Sequence, residues 1–251
     1  MADEVQQLLA SSAINDSIIS EKDIEGLPEP VQRNLRYAGV VGKLRISTVR
    51  LKQTGLFKMK QGQNWKPYSA LQYFTIDPPG FIWQVKLKFL PLIWVSGRDS
   101  YFDGKASMQM KLLSFIKIVD AAGPKLDQGA MLRYLSEIVW FPTAYLSDYI
   151  TWEAIDVNSA KATMRYGGVT ASAMFHYDEE GRFIDFVADR YMGTDDNAEL
   201  EKWTAEISQY SEISGMMIPV DGKATWNLAI GDFTYIDLKI TDIEYDNPTK
   251  Y

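Results

Sequence analysis

Along most of this chain apolar and polar residues alternate with a period of two. In FIWQVKLKF, Phe81, Trp83, Val85, Leu87 and Phe89 fall on one side and Gln84, Lys86 and Lys88 on the other. That pattern is a half-buried antiparallel strand. In KASMQMKLL, Ala106, Met108, Met110 and Leu112 oppose Lys105, Ser107, Gln109 and Lys111. The stretch GKLRISTVRLKQTGLFKM opens the alternation, and TWEAIDV, KATMRYG, VTASAMFHY, RFIDFVADRYM, GKATWNLAI and FTYIDLKITDIEY continue it. Asp103-Gly104, Gly167-Gly168, DEEG at 178–181, Asp221-Gly222 and Gly231-Asp232 read as the turns between strands, because these pairs accept the positive φ of tight hairpins. Short turns at such spacing predict a mainly β (α+β) chain, with an antiparallel meander of about ten or more strands. A sheet that wide curls instead of staying flat.

Two regions break the alternation. Residues 3–19 have helical spacing, with Val5, Leu8, Leu9 and Ile14 on a common face, and Pro30 opens a short helix, PVQRNLRYA, which Gly39 ends. In the middle lies PKLDQGAMLRYLSEIVWFPTAYL, residues 124–146. Asp127 suits an N-cap for a helix over 128–140, with Met131, Leu132, Leu135, Ile138 and Val139 as its apolar stripe. Arg133 and Glu137 are four apart on the other side and positioned to pair. Pro142 breaks the backbone ladder near Phe141 and starts a second, turn-rich helix. Such a segment can lie against the concave face of the curled sheet. The expected organisation is an N-terminal helix and linker over 1–28, then one domain over 29–251 with a helical insertion at about 127–150.

Charge narrows the function classes. The net charge is -7 with a pI near 4.9, and a nucleic-acid binder needs clustered cations to displace phosphate counterions, so no nucleic-acid partner is expected. The chain has no cysteine, which excludes disulfides, thiol chemistry and Cys-ligated zinc. His176 is the single histidine, so sites built on several imidazoles are excluded, and no cofactor is implied. No apolar run is long enough for a membrane span, and MADEVQQLLASSAI lacks the basic and apolar regions of a secretory signal. The expectation is a soluble chain, cytoplasmic by default, with no partner protein indicated.

The ordered series LPEPVQRNLRYAG, VRLKQTGLFKM, WKPYSALQYFTIDPPGFIWQV, DSYFDGKASMQMKLL, VDAAGPKLDQGAMLRYLSEIVWFPTAYL, FHYDEEGRFIDFVADRY and IPVDGKATWNL resembles a family of uncharacterised bacterial proteins, from about residue 27 onward. That family implies no activity. The Pro-Gly-Phe-x-Trp strand, the Asp-Gly hairpin and the Phe-x-Tyr-Asp-x-x-Gly hairpin are also similar, more distantly, to lipoprotein-carrier folds of the LolA/LolB type. That resemblance implies a strongly curved antiparallel sheet, or half-barrel, wrapped around mid-chain helices, with an apolar cavity for acyl chains.

Several residues could carry chemistry. His176 shares a strand face with Thr170, Ser172 and Met174 and has the titration range of a general base, but a surface histidine fits the same pattern. Asp99 and Asp103 flank a turn and could pair or hold a hard cation, although aspartate at a turn commonly serves the turn itself. TDDNAELE at 194–201 is an acidic loop without the glycine and ligand spacing of an EF-hand. Arg133 and Glu137, framed by Tyr134 and Trp140, are the better candidates, either as an exposed helix pair or as a head-group site inside the sheet. Trp65, Trp83, Trp94, Tyr101, Trp140, Trp152 and Trp226 could line an apolar pocket or fill the core. In KFLPLIWVSG, Phe89, Leu90, Leu92, Ile93 and Trp94 crowd both faces around Pro91, as at a rim or contact surface near 89–95.

These features lead to an expected ligand set of Arg133, Tyr134, Glu137, Trp140, Trp83, Trp94 and Tyr101, with no catalytic or metal residue assigned. The expected function is non-enzymatic binding of a lipid-like hydrophobic or amphipathic small molecule. An enzyme using a cavity acid or base, and a scaffold acting through the apolar 89–95 surface, are the alternatives.

Overall fold

The computed structural model describes residues 2–90, 93–113, 115–195 and 197–251. Three N-terminal helices, α1 (Ala2–Ala10), α2 (Glu21–Ile24) and α3 (Glu29–Ala38), precede six strands: β1 (Thr48–Phe57), β2 (Lys66–Thr75), β3 (Gly80–Leu90), β4 (Ile93–Phe102), β5 (Lys105–Leu112) and β6 (Ile116–Ala122). Helix α4 (Pro124–Glu137) follows, with 3-10 turns at Ile138–Trp140 and Pro142–Leu146. Seven strands complete the chain: β7 (Ile150–Ala154), β8 (Ser159–Tyr166), β9 (Val169–Tyr177), β10 (Phe183–Met192), β11 (Glu199–Ile213), β12 (Met216–Leu228) and β13 (Gly231–Tyr245).

The described strands form one 13-stranded antiparallel sheet in the order β6-β5-β4-β3-β2-β1-β13-β12-β11-β10-β9-β8-β7. β1 to β6 step outward from the middle, and β7 to β13 step back until β13 pairs with β1. The outermost strands, β6 and β7, are therefore the two that α4 joins. Helix α4 touches β4, β5 and β6 on one wing and β9 and β10 on the other, so the sheet curls around it as a half-barrel.

The wings meet at two hairpin tips. Asp103 and Gly104 have φ 50° and 72°, and Gly167 and Gly168 have 56° and 79°, the left-handed pairs that two-residue hairpins require. A Cβ on Gly104 or on Gly167 would lie 2.6 Å from the other residue's Cα, so only glycine permits this contact.

Aromatic side chains fill the concave side. Phe74 packs on Phe141 with centroids 4.8 Å apart, and Tyr134 and Trp140 complete that cluster. Toward the other wing Phe175 meets Trp152 at 4.9 Å and Phe186 at 5.1 Å. α3 buries Val31 and Leu35 against β8, β12 and the 3-10 turn Pro142–Leu146. α1 lies on the convex side, where Val5, Leu8 and Leu9 cover Tyr73 and Ile82.

Some sequence expectations need correction. α1 ends at Ala10 and Ile14 is exposed, because the pattern beyond residue 10 no longer faces the sheet. Asp127 is not the N-cap. The helix begins at Pro124 after Gly123, and the buried Asp127 accepts hydrogen bonds from the Ala106 amide at 2.7 Å and Lys105 Nζ at 3.0 Å, tying α4 to β5. Asp221-Gly222 lies within β12, where a Cβ on Gly222 would meet the Glu206 carbonyl oxygen at 2.7 Å. The hairpin turn there is Ser214-Gly215, with φ 53° and 72°. Gly231 opens β13 after a turn at 229–230, and Glu199–Glu201 begin β11, so the acidic run at 194–201 is only partly loop.

The tip contact has a measurable cost. Gly104→Ala or Gly167→Ala adds overpacking to left-handed strain and is expected to lower stability by about 2–3 kcal/mol. Gly62→Ala, at φ 79° with nothing within 4 Å of the added carbon, is expected to cost only about 1 kcal/mol. Urea denaturation of the three variants separates packing from backbone strain.

Candidate functional site

The inward faces of β1 to β4 are apolar with regular exceptions. On β2, Tyr68, Ala70, Gln72 and Phe74 point inward, and on β4, Val95, Gly97, Asp99 and Tyr101 do. Gln72, Trp83 and Asp99 are directly opposite one another across β2, β3 and β4. This row meets the polar side of α4. Arg133 donates from Nε to Glu137 at 3.0 Å and from Nη1 to Asp99 at 2.8 Å. Gln72 donates to Glu137 at 2.8 Å, Gln53 to Gln72 at 3.1 Å, and the Trp83 indole to Gln53 at 2.9 Å. The guanidinium also lies over the rings of Trp83, at 4.6 Å, and Phe81, at 5.0 Å. The two acids and the arginine thus form a continuous network with two amides and an indole.

Beside this network is a cavity of about 250 Å³, bounded by α4 and the concave faces of β1, β3 to β5 and β10 to β13. Its wall is mainly aromatic and aliphatic, with Trp83, Trp140, Trp203, Trp226, Phe57 and Leu238 among the lining residues. Lys125, Gly129, Arg133 and Glu137 present successive turns of α4 to it. From β10, Arg190 joins the wall, donating from Nε to the Gly129 carbonyl at 3.1 Å, with its guanidinium 4.6 Å from the Trp203 ring and 5.5 Å from that of Trp226.

Burial pushes the carboxyls of Asp99 and Glu137 above the usual carboxylate range, while the Arg133 guanidinium pulls against that shift. Burial would push Arg133 down, but Glu137 and Asp99 hold it above its ordinary value. Two carboxylates compete for one guanidinium, and low polarity raises the cost of keeping both charged.

The structure brings together Arg133, Glu137, Trp140 and Trp83 at the cavity and leaves three other sequence candidates away from its wall. Tyr134 and Tyr101 are fully buried in the aromatic core, with the Tyr134 hydroxyl donating to the Thr75 carbonyl at 3.1 Å. Trp94 lies at the start of β4, under the Lys86 ammonium at 5.0 Å. In the proposed 89–95 contact surface Ile93 is exposed, and Pro91 and Leu92 lie outside the described residues. His176 is on the convex side, 2.5 Å from Asp185, and Asp103 serves the hairpin tip. Asp196 of the acidic run lies outside the described residues. Among the described residues no group of three or more His, Cys, Asp or Glu could hold a metal ion. Sequence reasoning missed Gln53, Gln72, Arg190 and the role of Asp99. Their signal was position: each is polar on an otherwise inward-facing apolar alternation, as Arg190 is after Phe186 and Ala188.

The chain belongs to a family of unknown function, DUF6544, whose model matches residues 17–238. No curated protein matches it in sequence. Among solved structures it is similar to a LolA superfamily protein from Nitrosomonas europaea, at 11% identity and TM-score 0.42, covering 92% of this chain and 94% of that one. It is also similar to a β-barrel-like protein of a domain-of-unknown-function family from Brucella abortus, at 6% identity and TM-score 0.32, covering 81% and 99%. A third is a porin-like protein from Bacteroides uniformis, at 9% identity and TM-score 0.28, covering 80% and 96%.

Two outcomes follow from the network. Arg133→Met leaves two buried carboxylates without their cation and is expected to cost about 3–5 kcal/mol in equilibrium unfolding. Adding Asp99→Asn and Glu137→Gln to that variant is expected to recover more than half of the loss. The pH dependence has a definite sign. A carboxyl with a raised folded-state pKa contributes most to stability below its unfolded pKa and loses that contribution as pH rises through the folded value. Wild type is therefore expected to gain stability relative to Glu137→Gln as pH falls from neutral, in paired urea melts from about pH 7 to about pH 4.

Proposed function

We propose that this protein binds a hydrophobic or amphipathic, lipid-like small molecule in the cavity between α4 and the sheet, without transforming it. One observation carries this reading: a cavity mainly apolar in its wall, into which a few charged side chains are set, Arg133, Glu137 and Arg190 among them. Ligand sites combine these two elements, apolar area for affinity and a few polar groups for orientation. Arg133, Glu137, Trp140 and Trp83 are the residues we assign to the wall that meets the ligand.

Size limits the ligand. The cavity, at about 250 Å³, exceeds the roughly 150 Å³ that takes up benzene and falls just under the roughly 300–1,000 Å³ of common small-molecule sites. That favours one acyl or alkyl chain over a multi-chain lipid. Each buried methylene contributes about 0.8 kcal/mol, so about eight of them supply roughly 6 kcal/mol before ordering costs. With a head-group contact of about 2 kcal/mol the gross gain is about 8 kcal/mol, so micromolar is the upper bound on affinity before ordering costs are subtracted.

Mass spectrometry of a solvent extract of freshly purified protein, with titration of a neutral fluorescent lipophile, tests the reading. The expected result is a single-chain amphiphile in the extract and saturable, competable probe binding. Ala205→Phe, which projects a ring into the cavity from β11, is expected to weaken the probe at least about tenfold, a loss of about 1.4 kcal/mol, while thermal unfolding stays cooperative. An empty extract together with no saturable probe binding would refute the proposal.

A further inference from the structure

The cations around the cavity are not equivalent. Arg133 is held by Asp99 and Glu137. Lys125 donates to the Ala198 carbonyl at 2.7 Å, and Lys223 pairs with Asp237 at 3.7 Å. Arg190 differs. Among the described residues it makes no ion pair, its Nη1 reaches only the Tyr235 hydroxyl at 3.5 Å, and its Nη2 makes no hydrogen bond. The Tyr235 oxygen also accepts the Trp203 indole N–H at 3.2 Å.

A second donor is also unanswered. Trp140 lines the cavity, is 3% exposed, and its Nε1 has no hydrogen-bond partner. The wall therefore has N–H donors to spare, while of the three carboxylates that line it Asp99 and Glu137 are engaged by Arg133 and Gln72, and Glu206 is exposed on β11. A ligand that supplies acceptors and negative charge corrects that imbalance. The opposite case, a quaternary ammonium in an aromatic box, needs free ring faces. Here the Trp203 and Trp226 rings carry Arg190, and the Trp83 ring carries Arg133.

We propose that the ligand is a single-chain amphiphile with an oxyanion head, carboxylate or phosphate, and that Arg190 binds that head, with the Trp140 indole as a second donor. A planar guanidinium with Nη1 and Nη2 available matches two oxygens of either head group. The proposal rests on the cavity reading above and makes a narrower demand: preference for charge of one sign, located at one side chain.

The test is displacement of the neutral probe N-phenylnaphthylamine by four ligands with the same chain: dodecanoate, dodecyl phosphate, dodecanol and dodecyltrimethylammonium. Wild type is expected to bind dodecanoate or dodecyl phosphate about tenfold or more tightly than dodecanol, and the trimethylammonium more weakly than dodecanol. The order of the two anions tells which head is used. Arg190→Met keeps the apolar stem and is expected to lose the anion preference, read as the ratio of anion to dodecanol affinity within the variant, with saturable probe binding reporting that the cavity survives. Should that variant fail to fold, Arg190→Lys is expected to keep an anion preference reduced several-fold. Equal binding of dodecanol and both anions by wild type, or an anion preference that survives Arg190→Met, would overturn the assignment while leaving the cavity reading in place. Failure of the probe and of all four ligands to bind would overturn both.

Discussion

Arg133 sits inside the curve of the sheet with its guanidinium shared between Asp99 and Glu137, and that ion triad sets the rotation of α4. Apolar contact alone is non-directional, and an aromatic interior would accept a helix at several rotations. Charged hydrogen bonds accept few. Turning α4 by one residue would carry Arg133 away from Asp99 and place a buried guanidinium against rings with no anion, the arrangement that costs most in a protein interior. The sheet is equally constrained, because Gln72, Trp83 and Asp99 meet the helix only if β2, β3 and β4 keep their observed register. A slip of one residue would point all three outward.

The cavity follows from that fixed rotation. On its apolar side α4 presents Met131, Leu132, Tyr134 and Leu135, all fully buried, and the rings of Phe74, Phe81, Tyr101 and Phe141 close against them. On its polar side, rings cannot collapse onto the helix without displacing charged groups from their partners. The strands facing that side, β10 to β13, contribute small residues to the cavity wall, Ala205 and Ala224, where larger ones would fill the space. Packed core and open cavity are thus opposite faces of one helix.

Period-two alternation made β3, β5, β9, β10 and β13 legible, because each has one apolar and one polar face. β11 was harder. In EKWTAEISQYSEI only a few positions are strongly apolar, and β11 buries Trp203 alone among its residues, so the pattern reads as a polar surface segment. Asp221-Gly222 was misread for a chemical reason. Asp-Gly suits a tight turn, but glycine also serves where two backbones approach closely, and local sequence does not distinguish the uses. At the site, the Arg133–Glu137 spacing was visible, since four residues apart is one helical turn. Its partners were not. Gln53, Gln72 and Asp99 are separated from α4 by tens of residues, and only the strand order brings them to it. Tyr101 and Tyr134 look like pocket residues by composition, yet their rings are enclosed by other rings. Aromatic identity says that a side chain is buried, and topology decides whether it meets a cavity or the core.

Helix α4 also explains why Arg190 stands apart. A helix enclosed by sheet must find a partner for every polar side chain it carries, and this one largely does. Asp127 takes the Ala106 amide, Tyr134 finds the Thr75 carbonyl, Glu137 takes Gln72, and Arg133 holds both acids. Satisfying the helix consumes the carboxylates on that side of the interior. Arg190 arrives from the opposite wing, on a strand whose inward neighbours Phe186 and Ala188 offer no acceptor, and secures the Gly129 carbonyl and a shared tyrosine hydroxyl. Stacking on Trp203 and Trp226 holds its plane in position without neutralising its charge. The fold therefore orients a guanidinium at the cavity wall with no direct ion pair to any described carboxylate, its charge reaching Asp99 and Glu137 only through space. An anion bound there would gain a pre-aligned donor whose ordering is already provided by packing, which is the condition under which a single contact contributes most to affinity.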